Sequence, residues 1–357
     1  MDKNSKIYVA GHTGLVGSSI MRCLERNNYN NIVVRDLEEL DLRNQHDVNI
    51  FFDKEKPQYV FLCAAKVGGI IANSTYRADF IYDNLQIQNN VIHSAWKYNV
   101  KKLLFLGSTC AYPRNAPQPM QEDVLLTSPL EYTNEPYAVA KIAGIKLCES
   151  FNFQYGTNFL AVMPSNIYGT FDNFNLETSH VLPALIRKMY LAKLLNECNF
   201  EDIRKDLNKR PIESINGAAS EQIILEKLKK YGISAESIEV FGTGKAMREF
   251  LWSEDLADAC IFVMENINFS DLAKEKQEIK NCHINIGTGK DVTISELVSI
   301  IQSIIGFSGS MIYNTNKPDG IMRKLTDPSK LHSFGWYHSV ELPEGIQKMY
   351  NWYVQEK

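Results

Sequence analysis

The chain is expected to fold as an α/β protein, a Rossmann-type doubly wound parallel sheet with a smaller C-terminal α/β substrate domain. Three observations predict this. Short apolar runs of strand length alternate with helical stretches from the start of the chain, the pattern of right-handed β–α–β crossovers. The first run feeds a turn with glycines at 11, 14 and 17, and later runs end at Gly107 and at Pro164, where a parallel sheet presents its carboxyl edge. Finally, 357 residues at 45% hydrophobic and 22% charged are enough to build a large core.

Taken in order, residues 6–10 (KIYVA) read as the first strand, and residues 18–26 continue as a helix with Ile20, Cys23 and Leu24 at helical spacing. Gly11, Gly14 and Gly17 between them would let backbone N–H groups and a helix N-terminus approach a pyrophosphate. Their spacing differs from G-x-G-x-x-G, so a ligand-free glycine turn is the plain alternative. Residues 31–36 are strand-like and end at Asp36, at the distance where dinucleotide sites place a ribose-binding carboxylate; a solvated acidic loop with Glu38, Glu39 and Asp41 is the equal alternative. Residues 57–69 give a third strand and its loop, 78–98 a long helix containing Asn84, and 102–107 a fourth strand. The helix carrying Tyr137 reaches to about 155, and 158–163 is a fifth strand.

Beyond Met163 regularity loosens. Residues 167–175 read as a loop, and a helix begins at His180. Residues 196–237 are polar and charge-rich, an expected helical insertion in which Ile224, Leu225 and Leu228 share one face. The sheet is expected to resume at 238–241; further elements follow at 254–265 (helix), 283–287 (strand), 293–304 (helix) and 311–314 (strand). The domain reading is therefore 1–178 for the nucleotide domain, re-entered at about 238–268 and 282–290. Residues 179–237 and 291–357 make the substrate domain.

Composition narrows the classes. A net charge of −4 offers no basic field for nucleic acid. Residues 1–10 have no targeting pattern and no apolar run reaches bilayer length, so a cytoplasmic protein with no membrane partner is expected. The seven cysteines (23, 63, 110, 148, 198, 260 and 282) lack paired spacing, against a disulfide framework and against a metal site.

The chemistry concentrates between Gly107 and Lys141. Tyr137 and Lys141 share a helix face, where the ammonium can depress the phenol's pKa and make it a usable acid. Ser108, at a strand end, can bring a second hydroxyl. Proton donation to a carbonyl is the chemistry this set suits.

With Gly11, Gly14, Gly17, Ser108 and the Tyr137-x-x-x-Lys141 pair in view, the chain resembles the extended short-chain dehydrogenase/reductase family. Residues 64–69 (AAKVGG), 108–113 (STCAYP), 134–149 and 248–250 (REF) carry the likeness further, to its members that epimerise and reduce GDP-linked 4-keto-6-deoxy sugars with NADPH. The resemblance implies that Tyr137 protonates the carbon-4 oxygen, that Lys141 lowers the pKa of Tyr137 and holds the nicotinamide ribose, and that Ser108 binds the carbonyl. Cys110 and His180 are then base and acid for epimerisation at carbons 3 and 5, which the 4-keto group acidifies. It also implies cofactor contacts at Gly11, Thr13, Gly14, Leu15, Val16, Gly17, Asp36, Asp41, Leu106, Lys141, Pro164, Asn166, Ile167 and His180. Contacts to the GDP-linked 4-keto sugar fall at Lys188, Phe241, Arg248, Asp319 and Lys324, and a homodimer is implied. Thr13 and Leu37 stand where the family has arginines for the 2′-phosphate, so NAD(H) stays open beside NADP(H). The insertion leaves open a 4-reductase for another sugar, such as a GDP-4-keto-heptose, without epimerisation. A catalytically silent nucleotide sensor is the alternative of another class, and it would need no proton donor.

Overall fold

The computed structural model describes residues 1–274, 276–317 and 319–355. In chain order the elements are β1 (Ile7–Ala10), α1 (Leu15–Arg26), β2 (Ile32–Val33), α2 (Gln45–Glu55), β3 (Tyr59–Leu62), α3 (Ile70–Thr75), α4 (Arg77–Lys97), β4 (Lys102–Leu106), α5 (Glu135–Tyr155) and β5 (Phe159–Pro164). Then follow β6 (Asn166–Tyr168), α6 (Val181–Asn196), α7 (Phe200–Lys209), α8 (Glu221–Lys230), β7 (Ser237–Phe241), β8 (Met247–Trp252), α9 (Ser253–Asn266) and α10 (Phe269–Ala273). The chain closes with β9 (Ile284–Ile286), β10 (Asp291–Thr293), α11 (Ile294–Ile305), β11 (Ser310–Asn314), β12 (Arg323–Lys324), α12 (Ser329–Ser333) and α13 (Leu342–Gln355).

Two compact units result. The first is Met1–Ile167 with Glu249–Lys290 and Leu325–Ser339. The second is Tyr168–Arg248 with Asp291–Lys324 and Val340–Lys357. Re-entry into the first unit thus falls at Glu249, against the expected 238.

The first unit holds the expected parallel sheet, in the order β2-β1-β3-β4-β5-β9. Side chains alternate across it, as the two-residue period of a strand requires. Ile7, Val9, Leu104, Leu106, Leu160 and Val162 join one apolar core with α1 and α9. Tyr8, Ala10, Leu103, Phe105, Phe159 and Ala161 join the other, with α2, α4 and α5. Burial on both faces is why these strands read as unbroken apolar runs. Strand order reverses between β1 and β3, so the ligand crevice of such a sheet lies at the carboxyl ends of those two strands. Lys102, at the foot of β4, is 4% exposed, and its ammonium donates to the carbonyls of Val263 (3.0 Å), Met264 (2.9 Å) and Ile267 (2.5 Å), closing the end of α9. Burial pulls its pKa down to about 8.

Three local expectations change. β2 is only Ile32–Val33, because the chain turns at Asp36, where the backbone N–H groups of Glu39 and Leu40 donate to the Asp36 carbonyl. Strand β7 does not resume the large sheet but pairs in parallel with β11 in a two-stranded sheet of the second unit. Helix α8 buries Ile224 and Leu228, while Leu225 stays 43% exposed, since only an i, i+4 pair faces inward on so short a helix. Among the described residues no helix is long and apolar enough to cross a membrane, and none of the cysteines is in a disulfide.

The second unit is centred on a buried ion pair. Arg187, fully buried on α6, donates to Asp206 of α7 at 3.0 and 2.8 Å, to the Phe174 carbonyl at 3.2 Å and to the Arg210 carbonyl. The Tyr353 hydroxyl of α13 donates to the other Asp206 oxygen. All three guanidinium nitrogens and both carboxylate oxygens are engaged, which is what makes a buried pair tolerable. Arg187→Leu strands the Asp206 carboxylate in an apolar site, and denaturant titration is expected to show a loss of about 3–5 kcal/mol.

Candidate active site

The dinucleotide cradle follows from backbone contact rather than from side chains. Gly11 has φ +82°, and a Cβ there would lie 2.7 Å from the Ala64 backbone at the end of β3. A Cβ on Gly17 would lie 2.0 Å from the Gly11 carbonyl oxygen. Both positions therefore exclude a side chain, and Gly14 caps the N-terminus of α1 between them, beside Leu15 and Val16. This is a cradle for a pyrophosphate at a helix N-terminus, so these residues fit a dinucleotide. Thr13 is exposed on the same turn.

At the expected ribose end, Asp36 is exposed and stands 3.6 Å from His12 Nε2. Asp41 is clasped by Arg43 through both oxygens, which holds its carboxyl below the usual range. Arg35 is engaged by Glu55 at 2.7 Å. Asn84 secures the loop after β3: its Oδ1 accepts from the Lys66 N–H at 3.0 Å, and its Nδ2 donates to the Lys66 carbonyl at 3.0 Å and the Phe80 carbonyl at 2.7 Å. Sequence reading placed Asn84 on its helix without a role; a buried Asn in an amphipathic helix was the available signal.

Ser108, Cys110 and Tyr137 come together in the first unit. Ser108 follows β4 and opens a single 3-10 turn, Thr109–Ala111; its hydroxyl accepts from the Cys110 N–H at 3.3 Å. It neighbours Tyr137, whose ring lies edge-on to Phe80 at 6.3 Å. Burial, then the nearby Cys110, push the Tyr137 phenol above its ordinary value, and the Ser108 hydroxyl opposes them. The phenol is thus raised, not depressed as expected, although Lys141 Nζ stands 5.8 Å from the centre of its ring. Lys141 donates to the Leu106 carbonyl at 2.7 Å and lies over the Phe105 ring at 4.8 Å. Burial lowers its pKa to about 8, with Cys63 opposing. Cys63, whose thiol burial pushes up to about 12, is a neighbour that local spacing gave no hint of. At the same sheet edge Pro164 ends β5, and Asn166 Nδ2, beside Ile167, donates to the Glu249 carbonyl at 2.7 Å.

The remaining candidates lie in the second unit. His180 is the N-cap residue of α6 but makes no side-chain cap bond; desolvation, then the Lys324 ammonium, keep its pKa below the ordinary value. Lys324 on β12 is in register with Arg248 on β8, two cations side by side, which suits a diphosphate. The Arg248 guanidinium donates to the Met247 carbonyl at 2.8 Å and the Asp319 carbonyl at 3.3 Å. The Asp319 carboxylate itself accepts from the Thr243 N–H at 2.7 Å and hydroxyl at 2.9 Å. Lys188 is 8% exposed, donates to the Glu239 carbonyl at 3.0 Å and lies over the exposed Phe241 ring at 5.2 Å; burial lowers its pKa to about 8.

Comparison with known proteins gives a family. Residues 7–209 and 215–287 match the NAD dependent epimerase/dehydratase family. GDP-L-fucose synthase 1 of Arabidopsis thaliana is 48% identical over 354 residues, 99% of this chain and 94% of that protein. Two solved structures from Campylobacter jejuni are each 49% identical. A GDP-6-OMe-4-keto-L-xylo-heptose reductase has TM-score 0.94 over 100% of this chain and 99% of its own. A GDP-D-glycero-L-gluco-heptose synthase, solved in the presence of NADPH, has TM-score 0.92 over 99% of both.

Two outcomes follow from this geometry. Gly17→Ala forces the Gly11 turn apart, so dinucleotide affinity, read by NADPH fluorescence titration, is expected to fall about tenfold or more. Lys141 has a folded pKa of about 8 against an ordinary 10.5. Between those values the unfolded chain keeps a proton that the folded chain has released, so its contribution to stability rises with pH across that window. Lys141→Met is expected to flatten the stability slope there by up to about 1.4 kcal/mol per pH unit, measured by denaturant titration from pH 8 to 10.

Proposed function

Since the chain belongs to the NAD dependent epimerase/dehydratase family, we propose that it is an NADPH-dependent oxidoreductase of GDP-linked 4-keto sugars. Specifically, it takes GDP-4-keto-6-deoxy-mannose through 3,5-epimerisation and 4-reduction to GDP-L-fucose. The observation that carries this reading is the grouping of Ser108 and Tyr137, with Cys110 on the same turn as Ser108. A carbonyl reductase needs a proton donor, and an epimerase needs a base next to it. The GDP-L-fucose synthase relative supports the substrate. The NADPH-bearing neighbour supports the cofactor, and the cradle at Gly11 and Gly17 fits it.

NADPH supplies the hydride to carbon 4 when it is bound. The protein's own groups do the rest. Ser108 holds the carbonyl oxygen by hydrogen bond, and Tyr137 delivers the proton to that oxygen. Lys141, an ammonium beside the Leu106 carbonyl, holds the nicotinamide ribose and stabilises the phenolate that Tyr137 becomes. Cys110 is the base and His180 the acid of epimerisation at carbons 3 and 5; the carbon-4 carbonyl delocalises the charge as an enolate. Arg248, Lys324 and Lys188 take the diphosphate, with Phe241 beside them. The reading includes a cytoplasmic homodimer.

A second reading, a GDP-4-keto-heptose 4-reductase without epimerisation, is favoured by the likeness to the two heptose enzymes. Incubation of GDP-4-keto-6-deoxy-mannose with NADPH in deuterated water separates the two. Epimerisation places deuterium at carbons 3 and 5 by NMR, and turnover without it leaves the heptose reading standing. Tyr137→Phe is expected to cut cofactor oxidation by about 10²–10⁴ while NADPH still binds; a fully active variant would defeat the mechanism.

A further inference from the structure

The turn that carries Ser108 and Cys110 is held by little of its own. A single 3-10 turn closes with the Ala111 N–H on the Ser108 carbonyl at 2.9 Å and the Tyr112 N–H on the Thr109 carbonyl at 3.2 Å. Such turns have poorer hydrogen-bond geometry than an α-helix. The next residue, Tyr112, is 3% exposed, and its hydroxyl lies 2.5 Å from Asn285 Oδ1 and 3.0 Å from His283 Nε2. A buried phenol costs free energy unless its hydroxyl is paired, and a Phe would fill the same space. Hydroxyl and partners are therefore there for their bonds.

Those partners are fixed from every side. Asn285 is the central residue of edge strand β9, and His283 immediately precedes that strand. The Asn285 backbone N–H donates to Glu122 Oε1 at 3.0 Å; its side-chain amide donates to the Met120 carbonyl at 2.9 Å and the Asp327 carbonyl at 3.2 Å. Lys330 donates to the His283 carbonyl at 2.9 Å and stands 3.3 Å from Glu122. The hydroxyl has one proton: given to Asn285 Oδ1, it leaves the oxygen to accept from His283 Nε2–H. His283 Nδ1 is then the bare nitrogen, buried and without a partner. Burial holds this imidazole neutral, its pKa well below the ordinary value.

We propose that Tyr112 is a positioning residue of the catalytic turn, its hydroxyl tying that turn to β9 and so setting where Cys110 and Ser108 stand relative to Tyr137. The role assigned to the two residues rests on the function proposed above. Tyr137 is anchored separately, in the first turn of α5, with its ring edge-on to Phe80. Loss of the tether therefore moves Cys110, two residues from it, against a fixed proton donor. Displacements of this kind cost far more in rate than in binding. Epimerisation is the step that suffers most.

The test compares the full-length chain with Tyr112→Phe and His283→Leu, and with Tyr29→Phe as a control that removes a different tyrosine hydroxyl, one bonded to Glu265. Site-resolved iodoacetamide alkylation is followed at Cys110 and at the exposed Cys198. In the cofactor-free protein the Cys110 rate is expected to rise at least threefold in both tether variants, with Cys198 and the control unchanged. With substrate in deuterated water, the ratio of deuterium uptake to NADPH oxidation is expected to fall at least fivefold in Tyr112→Phe. A wild-type ratio overturns the proposal whatever the alkylation rate. If the wild-type chain itself takes up no deuterium, the epimerase reading falls, and alkylation alone decides the tether: a raised Cys110 rate supports it and an unchanged one overturns it.

Discussion

Burial of the parallel sheet on both faces is the constraint on which the rest of the first unit depends. A strand packed on both faces interlocks its side chains with two close-packed cores, so a slip would disturb both at once. The register of β1, β3 and β4 is thereby locked, and with it the level at which Gly11, Ala64 and Ser108 emerge from the strand ends. The reactive groups hang from that edge on short segments. Their placement is inherited from the two apolar cores packed on the faces of the sheet.

A group's environment, more than its identity, decides what it can do here. Tyr137 and Lys141 sit four residues apart on one helix, yet the ammonium points to a backbone carbonyl, and burial dominates both pKa values in opposite directions. The phenol is held as the acid, protonated across the physiological range, while the amine sits near the point where it releases its proton. Cys110 and Ser108 are the neighbours that act on the phenol, in opposite directions. The thiol on the same turn raises the cost of a phenolate, so the two reactions assigned to this turn impose a charge limit on each other.

Much of this was legible in the linear sequence because its signals are local. The apolar runs marked the strands, glycines at 11, 14 and 17 marked the turn, and a Tyr and a Lys one helical turn apart marked the chemistry. What failed to show depends on partners far away in the chain. β7 reads as an ordinary strand, and only the presence of β11 some seventy residues later diverts it from the large sheet. Tyr112 and Asn285 look unremarkable in isolation, as does Arg187, whose burial is visible only once Asp206 and Tyr353 arrive from two other helices. Leu225 was misjudged for a smaller reason: amphipathic spacing says which residues can face inward, and the size of the neighbouring surface says how many do.

Lys102 carries a consequence of another kind. Its amine would be unusually reactive toward acylating reagents near neutral pH if they could reach it, since an ammonium with a pKa near 8 spends an appreciable fraction of its time as the free base. Three carbonyls and the surrounding core keep reagent out. The residue is therefore a built-in gauge of integrity. Surface lysines label continuously, whereas modification at position 102 registers only those moments when the foot of β4 parts from the end of α9, and so counts the openings of the nucleotide-binding unit itself.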